Sequence, residues 1–213
     1  MDRWLKILFF TLIVRPLVFL ILGLNVRHRE RLPRQGPAVL VANHNSHLDT
    51  LVLMSLYPWR QLPSLRPVAA GDYFLRNPFM AWFATRVIGI IPLQRQVQGH
   101  EQNPLEPIRQ ALDAGEIVIL YPEGSRGEPE HIAEFKNGVA HLARARPQVP
   151  VYPIFLHGLG KALPKGEALL VPFFCDVFIG EAIYWNQDRR LYMESLRQSL
   201  ESLAGEGHFS VWK

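Results

Sequence analysis

Apolar residues are arranged in two ways along this chain. Over residues 4–24 almost every position is apolar, whereas from Ala38 onward short apolar runs alternate with stretches in which apolar residues recur at helical spacing. The first run is about as long as a helix needs to cross a bilayer core, but Arg15 and Pro16 interrupt it at the middle. A charge at mid-bilayer is costly, and proline removes a helix hydrogen bond. Two half-length pieces, 4–14 and 17–24, therefore predict a bent or re-entrant element in one leaflet rather than a straight span. No small-residue cleavage site follows, which argues against a removed signal peptide. The competing reading is an ordinary buried core helix.

The second pattern pairs each short apolar run with an amphipathic segment: 38–42 with 51–56, 67–70 with 73–85, 87–92 with 105–112, and 117–121 with 137–144. Runs at 149–155 and 169–179 and a closing helix at 188–203 complete it. Such alternation predicts an α/β layered fold, a mostly parallel central sheet flanked by helices, with the late runs adding antiparallel strands. Pro104 and Pro107 suit a first helical turn and Gly115 the stop after it. Leu196, Leu200 and Leu203 form a stripe that covers the sheet. A length of 213 residues with 48% hydrophobic content supports one core. The organisation read from it is a membrane-associated apolar segment, 1–26, followed by one domain, 27–213.

Charge sharpens that picture. Lysine and arginine number 23 against 19 acidic residues, a net +4, and a surface rich in arginine suits phosphate or anionic lipid. Arg27, His28, Arg29, Arg31 and Arg34 follow the apolar run. The positive-inside rule then puts the domain on the cytoplasmic face, that of the inner or plasma membrane in a bacterium. Clustering beside an apolar helix, with no recognised binding motif, argues against nucleic acid as a partner. Trp4 and Trp59 suit a membrane boundary. The single Cys175 has no partner for an internal disulfide.

Candidate chemistry gathers at three predicted strand ends, where α/β proteins place their sites. After 38–42 come His44 and Asp49, spaced so that a carboxylate in the first turn of a helix can hold the imidazole's tautomer and stabilise it once protonated. After 117–121 come Glu123, Gly124, Ser125 and Arg126: a carboxylate, a flexible glycine, a hydroxyl, and a guanidinium that fits phosphate in bidentate fashion. A third strand end carries Arg95. A base converging with two arginines is what transfer to a phosphate-bearing alcohol requires.

These blocks resemble the glycerolipid acyltransferases, the 1-acylglycerol-3-phosphate and glycerol-3-phosphate acyltransferases. Asn43, His44 and Asp49 match an Asn-His-four residues-Asp signature; Gly89 to Arg95 match a glycine-started strand ending in arginine. Tyr121 to Arg126 match Phe-Pro-Glu-Gly-Thr-Arg with tyrosine and serine substituted, and Phe135-Lys136-Asn137-Gly138 and Val149 to Ile154 match two downstream blocks. The resemblance implies a catalytic domain over 27–213 that moves a fatty acyl group from a thioester to a lysophospholipid hydroxyl. The product most often expected is phosphatidic acid from 1-acyl-sn-glycerol-3-phosphate, a step of phospholipid biosynthesis. It implies His44 as general base oriented by Asp49, with Arg95, Glu123, Gly124, Ser125, Arg126 and Lys136 on the acceptor. It implies no metal and no cofactor, acyl-CoA or acyl carrier protein being the donor and membrane lipids the other partners.

Two other readings use the same residues. His44, His47 and Asp49 crowd three potential ligands of a metal-dependent hydrolase, with His157 the one later candidate. A non-catalytic lipid-binding membrane protein would use the apolar segment and the arginines and leave the His44 and Asp49 pair idle.

Overall fold

The computed structural model describes residues 2–94, 103–127, 132–163 and 171–209. Seven strands form one sheet: β1 (Gly23–Arg27), β2 (Ala38–Ala42), β3 (Leu65–Ala70), β4 (Ile91–Leu93), β5 (Ile117–Leu120), β6 (Val151–His157) and β7 (Phe174–Ile179), in the order β1-β7-β6-β2-β5-β3-β4. Every neighbouring pair is parallel except β6 and β7. The expected mostly parallel sheet with a late antiparallel strand is therefore present.

Strand alternation divides the core. In β2, buried at all five positions, Ala38, Leu40 and Ala42 face one layer while Val39 and Val41 face the other. On the first face lie α1 (Asp2–Phe9), α2 (Arg15–Ile21) and α3 (Leu48–Ser55); on the second lie α6 (Glu106–Asp113), α7 (Gly138–Ala145) and α9 (Arg189–Glu206). Leu196 joins the second core and Leu200 and Leu203 a smaller cluster with Phe155 and Phe178, as the helical stripe predicts. Asp188 caps α9, its Oδ1 accepting from the Leu191 N–H at 2.8 Å. Between the strands run three short helices, α4 (Gly71–Phe74), α5 (Pro78–Trp82) and α8 (Leu159–Ala162).

Four expectations are corrected. The apolar run is one continuous helix over Asp2–Ile21, not two broken halves. Its middle, Phe10–Val14, is π-helical and the Arg15 N–H bonds to the Phe10 carbonyl, so the widened turn absorbs the proline that follows. The interrupting charges face the protein: Lys6 Nζ donates to the Leu65 carbonyl at 2.6 Å and the Arg15 guanidinium donates to that of Tyr57. Lys6, Phe10, Val14, Val18 and Leu22 form one buried stripe, so the core-helix reading holds for that side alone. The opposite side exposes Trp4, Leu8, Leu12 and Leu20.

Secondly, the end of the apolar run and Arg27 form edge strand β1 instead of helix and linker, because β7 supplies a parallel partner. Thirdly, the expected strand at 87–92 shrinks to β4. Phe83–Ile88 continues from α5 as a π-helical segment, ended by Gly89 at φ +79°. Val87 and Ile88 are β-branched and read as strand, but Ile88 packs in the same core as the N-terminal helix, which holds the segment helical. The expected helix at 73–85 is likewise split, because Asn77 caps a new start at Pro78, accepting from the Phe79 N–H at 2.9 Å.

Candidate active site

Beyond the C-terminal end of β2 the chain turns sharply into α3, and the turn is held by its own polar side chains. Asn43 is buried and locks onto β6: its Nδ2 donates to the Leu156 carbonyl at 2.9 Å and its Oδ1 accepts from the Leu156 N–H at 2.7 Å. Ser46, also buried, donates from Oγ to the Leu163 carbonyl at 3.0 Å. Asp49 lies in the first turn of α3, fully buried, and its Oδ2 accepts from the Asn45 N–H at 2.7 Å and the Ser46 N–H at 2.9 Å. The same oxygen meets His44 Nδ1 at 2.9 Å. Spacing hinted at this pair and the motif resemblance strengthened it; the structure brings the two side chains together.

With Nδ1 turned to Asp49, the other ring nitrogen of His44 has no hydrogen-bond partner among the described residues, and the side chain is 18% exposed. That leaves one nitrogen able to receive a proton from outside while the carboxylate stabilises the resulting charge. The ring is clamped from the side by Tyr121, stacked with centroids 4.0 Å apart and planes 19° from parallel. The Tyr121 hydroxyl bonds Thr50 Oγ1 at 2.8 Å, and burial pushes its pKa well above the usual phenol value. Thr50 follows Asp49, so one residue pair fastens the end of β5 to the helix that carries the carboxylate. Sequence reading named Tyr121 only as a substitute for phenylalanine and gave Thr50 no role; a hydroxyl where the family pattern has none was the available signal.

The second block curls over the first. The Gly127 N–H donates to the His44 carbonyl at 3.0 Å, and the Lys136 N–H to the Pro122 carbonyl at 2.9 Å. Glu123 is buried, and neither carboxylate oxygen has a hydrogen-bond partner among the described residues. Burial raises its pKa from 4.5 to about 7; the nearby Ala133 and His44 amides, which fall short of hydrogen-bond geometry, pull weakly the other way, and the charge of Asp49 adds to the rise. Gly124, at φ +72°, supplies a backbone angle that other residues resist, and the Lys136 ammonium lies where a Cβ would sit, 2.8 Å from that position. Ser125 is exposed and Arg126 partly so. Arg126 forms no hydrogen bond or ion pair among the described residues, but its charge reaches His47, whose pKa is lowered by burial first, then by Arg126 and His44, against the opposing pull of Asp49. Arg126 directly precedes Gly127, whose N–H reaches the His44 carbonyl, so it lies beside the same turn. The expected role of Arg95 falls outside the described residues.

His47 does not join His44 and Asp49. Its ring lies against Tyr73, with centroids 6.0 Å apart, and Phe74, at 6.5 Å. Among the described residues no three His, Cys, Asp or Glu side chains are grouped so as to hold a metal ion. His157 stands apart, its ring stacked on Phe209 at 3.5 Å and its Nδ1 4.0 Å from Asp176 Oδ2.

The sequence profile of the acyltransferase family matches residues 23–157, a stretch that runs from β1 through β6 and includes every site residue above. The chain belongs to the acyltransferase family. Among relatives, the chloroplastic 1-acyl-sn-glycerol-3-phosphate acyltransferase of Brassica napus is 31% identical over 181 residues, 84% of this chain and 50% of that protein. The human 1-acyl-sn-glycerol-3-phosphate acyltransferase alpha is 32% identical over 153 residues, 71% of this chain and 52% of the relative. A lyso-ornithine lipid O-acyltransferase of Rhizobium meliloti is 29% identical over 136 residues, 62% of this chain and 42% of that one. This acyltransferase-family chain thus spans about half the length of the curated relatives it matches. The crystal structure of the 1-acyl-sn-glycerophosphate acyltransferase of Thermotoga maritima shares its fold, with a TM-score of 0.70 at 22% identity, covering 92% of this chain and 77% of that one.

Proposed function

We propose that this chain transfers a fatty acyl group from an acyl thioester to the free hydroxyl of a lysophospholipid, with 1-acyl-sn-glycerol-3-phosphate as acceptor and phosphatidic acid as product. The observation that carries the reading is the His44 and Asp49 pair, set beside Arg126, which makes no hydrogen bond or ion pair among the described residues. The names of the Brassica and human relatives support the choice of acceptor.

In this reading His44 Nε2 takes the proton of the acceptor hydroxyl as its oxygen attacks the thioester carbonyl carbon. The tetrahedral adduct collapses, the carbon–sulfur bond breaks, and the leaving thiolate receives the proton held by His44. Asp49 stabilises the imidazolium between the two steps, and Tyr121 keeps its plane. General-base catalysis of this kind contributes about 10²–10⁴-fold, and holding two bound substrates in line supplies much of the rest. Arg126 and Lys136, with Arg95, bind the acceptor phosphate; Gly124 and Ser125 shape that pocket, and Glu123 accepts from a substrate hydroxyl. The reading calls for no metal or cofactor, with acyl-CoA or acyl carrier protein as donor. Residues 1–26 hold the domain of 27–213 on the cytoplasmic face of the membrane, although from Gly23 onward the chain already belongs to the sheet.

The test is acyl transfer by detergent-purified protein from labelled long-chain acyl-CoA, and in parallel from acyl carrier protein, to lysophosphatidic acid with a chelator present. Phosphatidic acid formed by the wild type and lost in His44→Ala and Arg126→Ala is expected. Transfer to lyso-ornithine lipid instead would replace the acceptor, and hydrolysis that depends on metal would overturn the mechanism.

A further inference from the structure

The N-terminal helix is not the one exposed apolar surface on its side of the molecule. Tyr73, Leu75, Phe79, Met80 and Trp82 also stand in solvent, Phe79 at 72% exposure, although aromatic residues of this size are ordinarily covered. All lie between residues 71 and 82, on α4, α5 and the turn that joins them.

Two contacts fix where this segment sits. Arg86 pairs with Asp2 at 2.6 Å, and Phe83 meets Phe9 edge to face at 5.1 Å. The segment after α5 therefore runs antiparallel to α1, and that direction carries α5 past Phe9 toward Leu12 and Ile13, themselves 67% and 56% exposed. The exposed side chains of α5 thus lie next along the chain to the segment that packs on α1. At its other end the segment reaches the active site, since Tyr73 and Phe74 pack on each other at 4.9 Å and both lie against His47. The surroundings are cationic: Arg76 is exposed within the segment itself, and Arg3 is exposed next to the Asp2 that pairs with Arg86. Asp72 is exposed, and Asp2 is spent on Arg86. Aromatic and aliphatic side chains fringed by arginine suit the headgroup and upper acyl region of an anionic bilayer.

We propose that the outer face of α4 and α5 is a second bilayer-contact surface, inserted beside α1, which sets the mouth of the His44 site at headgroup depth. It rests on the reading that the N-terminal helix lies at a membrane, and it adds a second surface next to the chemistry. A lipid acceptor then reaches His44 by lateral movement past His47, Tyr73 and Phe74 without leaving the bilayer.

The experiment uses the full chain in phosphatidylcholine–phosphatidylglycerol vesicles whose acyl chains carry bromine, a contact quencher of tryptophan. Three single-tryptophan variants keep Trp4, Trp82 or Trp185, the others replaced by phenylalanine; Trp185 packs on Tyr192, on the opposite side of the sheet. Quenching of Trp4 and Trp82 with Trp185 unaffected is expected. An unquenched Trp82 beside a quenched Trp4 overturns the proposal, and acrylamide then tells whether water or a protein partner covers the patch. A quenched Trp82 with an unquenched Trp4 removes the N-terminal surface on which the proposal rests and overturns it as stated; if neither is quenched, both surfaces fall. As a second variant, Phe79→Glu combined with Met80→Glu lowers the acylation rate of vesicle-embedded lysolipid about tenfold, because less apolar area is buried, and leaves the rate on dispersed short-chain lysophosphatidic acid unchanged. Equal loss on both overturns the proposal. A wild type inactive on both would count against the functional reading, while quenching still judges the surface.

Discussion

At the residue scale, the site depends on side chains that hold other side chains. His44 is positioned on one side by Asp49 and on the other by the Tyr121 ring, and the ring is in turn tied to Thr50. Tyr121→Phe keeps the stack and loses only the hydroxyl bond, so kcat is expected to fall by less than about tenfold, the scale of one neutral hydrogen bond. Tyr121→Ala frees the imidazole, and kcat is expected to fall further with KM nearly constant, because phosphate binding does not pass through the ring. Steady-state kinetics on both variants checks this, and a loss confined to KM would contradict it. Glu123 gives a pH signature. Its folded-state pKa near 7 lies above its ordinary 4.5, so between those values the native state holds a proton that the unfolded state has released. The stability this contributes is complete below about pH 4.5 and is lost as pH rises through about 7. Thermal melts from pH 5 to 8 should show a decline in the wild type that is smaller in Glu123→Gln, whose amide stays neutral; parallel curves would contradict it.

At the scale of elements, two attachments keep the site in register. Asn43 joins the end of β2 to β6 by a pair of hydrogen bonds in a buried setting. Asn43→Ala leaves the Leu156 N–H without that acceptor, a cost of about 1–3 kcal/mol, and loosens the turn bearing His44. Denaturant unfolding should show a lower midpoint with unchanged slope. The second attachment is the N-terminal helix, whose stripe from Lys6 to Leu22 closes one face of the core. Its elements were the hardest to read in advance. Arg15 and Pro16 look like a break by local rules, and Val87 and Ile88 look like strand. Which side of a helix is covered, and by what, is not written in a local window, so a π-helical turn, a buried lysine and a half-buried guanidinium were out of reach. By contrast β2, β3, β5, β6 and β7 and helices α3, α6, α7 and α9 were all legible, because each carries its own periodicity and stop signals.

For the molecule as a whole, one helix both completes the core and presents apolar residues outward. Removal of residues 2–21 uncovers the packing surface of α3 and the first sheet face, so the truncated chain is expected to aggregate even in detergent that keeps the full chain monomeric. Size-exclusion chromatography of the two side by side is the check, and a monomeric, folded truncation would show that the helix serves the membrane alone. The exposed aromatics of α4 and α5 extend the same surface to the edge of the active site.

By itself the sequence determined the layered α/β fold, which follows from periodicity and turn chemistry, and the His44 and Asp49 pair, which follows from the motif blocks' resemblance to the family together with residues five apart across one tight turn. Only the tertiary structure decided that Tyr121 and Thr50 fasten that pair, that His47 turns to Tyr73 and Phe74, that the end of the apolar run and Arg27 form an edge strand, and that the segment after α5 lies alongside α1. Each of these depends on which distant segments meet across the sheet, and such meetings are settled by the packing of the whole chain.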